Sequence, residues 1–213
     1  MISPETIMRL APVIPVLTID DAAWARDIAE ALVAGGLRAL EVTLRTPAAL
    51  DAIGEMAKVE GAVVGAGTVL NGMELADAVN AGARFIVSPG LTAPLAEAAG
   101  AADVPFLPGV ATAGDIMRGL DLGLSFFKFF PAEAAGGRKA LTSLAAPFYR
   151  ARFCPTGGIT AATAPDWLAM PSVLCVGGSW LVPPGPPDLA AIRRLAAEAT
   201  RLGHDGRGAV KAP

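Results

Sequence analysis

Lys128 sits in the run Phe126-Phe127-Lys128-Phe129-Phe130-Pro131, an aromatic, β-prone stretch with almost no other polar side chain. Strand alternation places Phe126, Lys128 and Phe130 on one face and Phe127 and Phe129 on the other. A lysine between two phenylalanines on a buried face loses hydration, and desolvation favours the neutral amine, the form that attacks carbonyl carbon. The alternative is a lysine that snorkels to the strand end and keeps its charge in water. Glu41 poses a similar choice in Glu41-Val42-Thr43-Leu44-Arg45, where Glu41, Thr43 and Arg45 share one parity. A carboxylate inside an apolar strand is costly unless paired or protonated. It is either half of a structural Glu41–Arg45 pair or a proton shuttle, with Arg45 clamping an anionic group.

Several turns carry small or polar residues. Gly65-Ala66-Gly67-Thr68 would let a ligand approach the backbone and offers the Thr68 hydroxyl, although GxGT is also ordinary turn chemistry. Ser88-Pro89-Gly90 and Pro108-Gly109 read as rigid turns. Pro155-Thr156-Gly157-Gly158 and Gly177-Gly178-Ser179 are Gly-rich, the composition that turns backbone N–H groups toward an anion. Cys154 and Cys175 lie in apolar runs without a CxxC pair, and the lone histidine is His204, so neither a disulfide framework nor a zinc site is expected.

The elements that must position these groups repeat one pattern. A short helix opens the chain, with Ser3 as N-cap and Pro4 in its first turn. Apolar strands follow over 13–17, 39–44, 62–67, 85–88, 105–108, 126–130, 152–155 and 173–176. Helices alternate with them, the first with Asp20 and Asp21 as cap candidates and running to Val33, the others over 47–58, 72–81, 92–99, 112–120, 137–146, 160–169 and 188–202. Eight strand–helix units within 213 residues predict a (β/α)8 TIM barrel with a short N-terminal helix, a doubly wound open sheet being the alternative. One domain spanning 1–202 is expected, followed by a flexible Gly-rich tail over 203–213. In such a barrel every cluster above falls at the C-terminal ends of strands, and loops after strands seven and eight are where these barrels hold phosphate. A net charge of −3 gives no basic footprint for nucleic acid, and no opening signal peptide or bilayer-length apolar run is present, so a soluble, cytoplasmic protein is expected.

A desolvated amine, a carboxyl group, an arginine and a phosphate cradle, with no metal ligand set, suit Schiff-base chemistry on a 2-oxo acid. The imine is an electron sink, so the neighbouring carbon–carbon bond can break or form through an enamine; that is a class I aldolase without a cofactor. The ordered motifs Glu41-Val-Thr-Leu-Arg45, Gly65-Ala-Gly-Thr-Val69, Ser88-Pro-Gly-Leu91, Phe127-Lys128-Phe-Phe-Pro-Ala-Glu133, Arg152-Phe-Cys-Pro-Thr-Gly-Gly-Ile159 and Ser172-Val-Leu-Cys-Val-Gly-Gly-Ser-Trp180 resemble the 2-keto-3-deoxy-6-phosphogluconate (KDPG) and 4-hydroxy-2-oxoglutarate (KHG) aldolase family. The likeness spans 13–181 and implies a homotrimeric barrel of the Entner–Doudoroff pathway. It implies Lys128 as Schiff-base lysine, Glu41 as general acid/base, and Arg45 and Thr68 as holders of the pyruvate carboxylate. It further implies Thr156 on sugar hydroxyls, Gly157, Gly158 and Ser179 with Gly177 and Gly178 around the phosphate, and Pro89, Pro108 and Phe130 as an apolar wall. The implied partners are KDPG, pyruvate and glyceraldehyde 3-phosphate, with side reactions on KHG and oxaloacetate. The rivals are the aldolase acting on the galactonate epimer, a phosphate-binding barrel isomerase or synthase, and a non-catalytic ligand-binding barrel. The Pro-rich segment Pro183-Pro-Gly-Pro-Pro187 departs from the expected pattern.

Overall fold

Apolar strands separated by helices settle as parallel neighbours, because each helix returns the chain to the same edge of the sheet. The computed structural model describes residues 2–202 in that arrangement. Its first half runs α1 (Pro4–Met8), β1 (Val13–Leu17), a 3-10 turn (Ala22–Trp24), α2 (Ala25–Ala34), β2 (Ala39–Thr43), α3 (Ala49–Met56), β3 (Val63–Gly67), α4 (Gly72–Ala81), β4 (Ile86–Val87) and α5 (Ala93–Ala101). The second half runs β5 (Phe106–Leu107), β6 (Gly109–Val110), α6 (Ala113–Asp121), β7 (Phe126–Phe129), α7 (Gly137–Ala145), β8 (Arg152–Pro155), α8 (Ala164–Leu168), β9 (Val176–Gly178) and α9 (Leu189–Ala199). The pairs are parallel, in a six-stranded sheet of order β5-β4-β3-β2-β1-β9 and a three-stranded sheet β6-β7-β8. The arrangement is a curled, TIM-barrel-like α/β fold.

Local chemistry explains most boundaries. Ser3, Asn71, Thr92 and Asp188 accept N–H bonds at the starts of α1, α4, α5 and α9. Thr112 and Asp115 form a reciprocal capping box on α6. The expected fifth strand is split at Pro108, which has no N–H to continue the ladder, and the Pro108 carbonyl instead accepts the Lys128 N–H at 2.9 Å. Two expectations shift. Residues 160–163 form a turn rather than helix, because the Thr160 and Thr163 hydroxyls bond the local backbone and compete with helical bonds. The last strand is β9 rather than 173–176, so Gly177 and Gly178 lie within a strand and not in the loop after it. A Cβ at Gly177 would strike Thr156, and one at Gly178 would strike the Trp180 ring, so close approach is what selects glycine there. The tail and His204 lie outside the described residues.

The outer face of the sheet packs on the helices: Leu40, Val42, Val64, Phe127, Phe129 and Phe153 join Ile28, Leu32, Ile53 and Leu75 in one core. On the inner face Ile7 and Met8 of α1 meet Ile14, Phe85, Val87, Leu107, Cys154 and Cys175 in a second apolar cluster. The N-terminal helix is therefore a plug for the N-terminal end of the strands. Both cysteines are buried. Among the described residues no helix is long and apolar enough to cross a membrane.

Candidate active site

Burial of Phe127 and Phe129 against the helices turns Lys128 to the inner face of β7, as alternation requires. Glu41 reaches the same place from β2, because Leu40 and Val42 face the helices. There Lys128 Nζ donates to Glu41 Oε1 at 2.9 Å, with side chains only 8% and 4% exposed. Gly67 makes room for this carboxylate, since a Cβ at that position would collide with it. The partner of Glu41 is thus Lys128 and not Arg45. The chain turns after β2, where the Arg45 N–H bonds back to the Thr43 carbonyl at 2.8 Å, and Arg45 is exposed without an ion-pair partner among the described residues. Two unlike charges removed from water are mutually costly to separate, so each anchors the other against solvent.

Around the pair, the Phe130 ring lies under the ammonium, 5.3 Å from Nζ to the centroid. Pro108 is buried directly behind the Lys128 backbone, and the Pro89 carbonyl presses against Gly109, the register partner of Lys128. Thr68 follows β3 with φ +62°, a left-handed conformation that a β-branched residue adopts only at a cost of order 1–3 kcal/mol. Its hydroxyl has no partner among the described residues.

The Gly-rich segments come together on the far side. The Thr156 and Gly157 carbonyls accept the N–H groups of Ala132 and Glu133 at 2.8 and 3.1 Å. Gly157 and Gly158 have φ +105° and +79°, and their own N–H groups have no acceptor among the described residues. A bridge pairs Thr156 with Gly177, so the 155–158 and 177–179 segments are adjacent, with Ser179 exposed beside them. Spent carbonyls and free N–H groups are what an anion site needs.

Sequence reading missed two groups at this end. Glu133 accepts the indole N–H of fully buried Trp167 at 3.1 Å and packs against Gly158; partners 34 positions apart leave no local signal. Thr18, just past β1, pairs with the Thr43 hydroxyl at 3.2 Å. A polar residue at the end of an apolar strand was the available sign. Elsewhere, an apolar groove lined by Phe148, Tyr149, Met170 and Pro171 lies at the N-terminal end of β8. Arg152 beside it is held by the Tyr149 and Ala151 carbonyls. Among the described residues no cluster of three or more His, Cys, Asp or Glu could hold a metal ion.

A family profile described as KDPG and KHG aldolase matches residues 5–195. The chain belongs to that family. A 2-dehydro-3-deoxy-phosphogluconate aldolase from Zymomonas mobilis is 63% identical over 196 residues, 92% of this chain and 94% of the relative. The crystal structure of the Zymomonas mobilis 2-keto-3-deoxy-6-phosphogluconate aldolase with 3-phosphoglycerate superposes with a TM-score of 0.92 at 62% identity, covering 93% of this chain and 95% of that one. KDPG aldolase from Legionella pneumophila, with pyruvate captured as a covalent carbinolamine, has a TM-score of 0.84 at 42% identity, covering 94% and 96%.

Proposed function

We propose that this chain is a class I aldolase that reversibly cleaves KDPG to pyruvate and glyceraldehyde 3-phosphate, with Lys128 as the Schiff-base lysine and Glu41 as the general acid/base. The observation that carries the reading is the buried Lys128–Glu41 contact within the C-terminal half of the inner face of parallel strands. The carbinolamine in the Legionella relative supports the same chemistry.

The short contact supplies the first proton transfer. Lys128 passes a proton to Glu41 along the existing hydrogen bond, and the neutral amine attacks C2 of the substrate. Glu41 returns the proton to the departing hydroxyl, water leaves and a protonated imine remains. Glu41, again a carboxylate, takes the C4 hydroxyl proton as the C3–C4 bond breaks. The bonding pair flows into the imine, giving an enamine and glyceraldehyde 3-phosphate. Protonation of C3 by Glu41 and hydrolysis release pyruvate and free Lys128. Arg45 and Thr68 hold the C1 carboxylate, each with a donor that has no partner among the described residues. Thr156 meets chain hydroxyls; Gly157, Gly158, Gly177, Gly178 and Ser179 surround the phosphate; Pro89, Pro108 and Phe130 exclude water from the imine. KHG and oxaloacetate are side substrates, because both use the same enamine.

The remaining framework is part of this proposal. Residues 1–202 form one domain, β5 and β6 act as one strand interrupted at Pro108, and the two sheets join as a closed (β/α)8 barrel. The bridges Phe153–Val173 and Thr156–Gly177 support closure, since they link β8 to the segment leading into β9 and to β9 itself. The enzyme works in the cytoplasm as a homotrimer. Pyruvate release from the purified protein tests the activity: KDPG is expected to be cleaved faster than its C4 epimer, with chelators present. Failure to cleave KDPG would overturn the assignment, and preference for the galactonate epimer would move it to that substrate.

A further inference from the structure

The register Leu17–Val42 continues past β1 to set Thr18 beside Thr43, two residues beyond Glu41 on the same face of β2. At roughly 3.3 Å per residue, this stands the pair about 6.6 Å above the Glu41 level, toward the open end. Thr43 Oγ1 donates to the Leu17 carbonyl at 2.9 Å, and Thr43 is fully buried. A hydroxyl has one proton. With the Thr43 proton committed, Thr18 must be the donor in the 3.2 Å contact between the two hydroxyls. Thr18 Oγ1 therefore presents only lone pairs to the exposed side, where no donor among the described residues meets them.

We infer that Thr18 Oγ1 is an acceptor for a substrate hydroxyl beyond the bond that breaks, and that it selects a hydroxylated chain over one carrying a carboxylate there. The inference rests on the aldolase reading above. KDPG carries a hydroxyl at C5 and can donate to Thr18. KHG carries a carboxylate at C5, an acceptor facing lone pairs. Thr43 acts through Thr18 and is its positioning residue.

The test compares kcat/KM for KDPG and KHG. In Thr18→Val, which keeps the shape of an exposed side chain, the KDPG-to-KHG ratio is expected to fall roughly three- to tenfold, the size of one lost neutral hydrogen bond. Thr18→Ser should keep the wild-type ratio. Thr43→Val frees the Thr18 proton to turn outward, so its ratio should fall through a gain on KHG; melting curves check that this buried variant is folded. An unchanged ratio in Thr18→Val, or an equal loss on both substrates, overturns the role of Thr18. Wild-type protein that fails to cleave KDPG removes both readings, whereas wild-type cleavage with an unchanged ratio removes this one alone.

Discussion

The two ends of the inner face are built from the same strands and do opposite work. At the N-terminal end Ile7, Met8, Ile14, Phe85 and Leu107 form a dry plug. Toward the C-terminal end Glu41, Lys128, Thr43 and Thr156 are buried polar groups with assigned partners. On β2 the inward residues pass from Ala39 to Glu41 and Thr43, and along β8 from Cys154 to Thr156 just past its end. The plug contributes roughly 1.5–3 kcal/mol per fully buried large side chain. The ion pair contributes little or nothing net, because desolvation offsets attraction. One end stabilises the fold and the other draws on that stability to hold charges out of water.

Exchanging the character of the reactive end gives the largest expected effects. Lys128→Met should lower kcat for KDPG cleavage by about 10⁴-fold or more, and should cost about 3–5 kcal/mol in urea unfolding because Glu41 is left buried and unpaired. The double variant Lys128→Met with Glu41→Leu should regain most of that stability and remain inactive; a double variant no more stable than the single one would break the contrast. Glu41→Gln should reduce kcat by about 10²–10⁴-fold, the usual reach of general acid–base catalysis. At the plug, Ile7→Ala should cost about 2–5 kcal/mol while kcat of the folded fraction stays near wild type.

The smallest effect belongs to neither end. Burial of Asp115 pushes its pKa up, but bonds from the Thr112 hydroxyl and the Ala111 and Thr112 N–H groups, with Arg118 nearby, hold it below the ordinary 3.8. A depressed folded pKa gives stability that is present above 3.8 and lost as pH falls through the folded value. The gap in unfolding midpoint between wild type and Asp115→Asn should therefore be constant near neutral pH and close below pH 3.8. A gap that widened on acidification would contradict the capping account.

What could be read from the sequence was whatever depends on alternation and caps. The inward face of Lys128 follows from the phenylalanines around it, and the boundaries of β1, α4 and β8 follow from their flanking residues. The identity of the Glu41 partner was not legible: parity offered Arg45, four positions away, as one possibility, and nothing local pointed to a lysine 87 positions away. The placement of Gly177 and Gly178 was misread because composition alone suggested a loop, whereas space is needed for Thr156 on the bridged neighbouring segment and for the Trp180 ring folded back over Gly178. Local rules describe faces and ends; the company a residue keeps across the sheet is set by how distant strands come together.

Everything proposed for the reactive end turns on Lys128 being the carbonyl nucleophile. Incubation with pyruvate and a borohydride reductant, followed by peptide mass mapping, tests it most directly. One reduced pyruvyl adduct per chain is expected, on Lys128 and absent from Lys128→Met. No adduct, or an adduct on any other lysine, would contradict it.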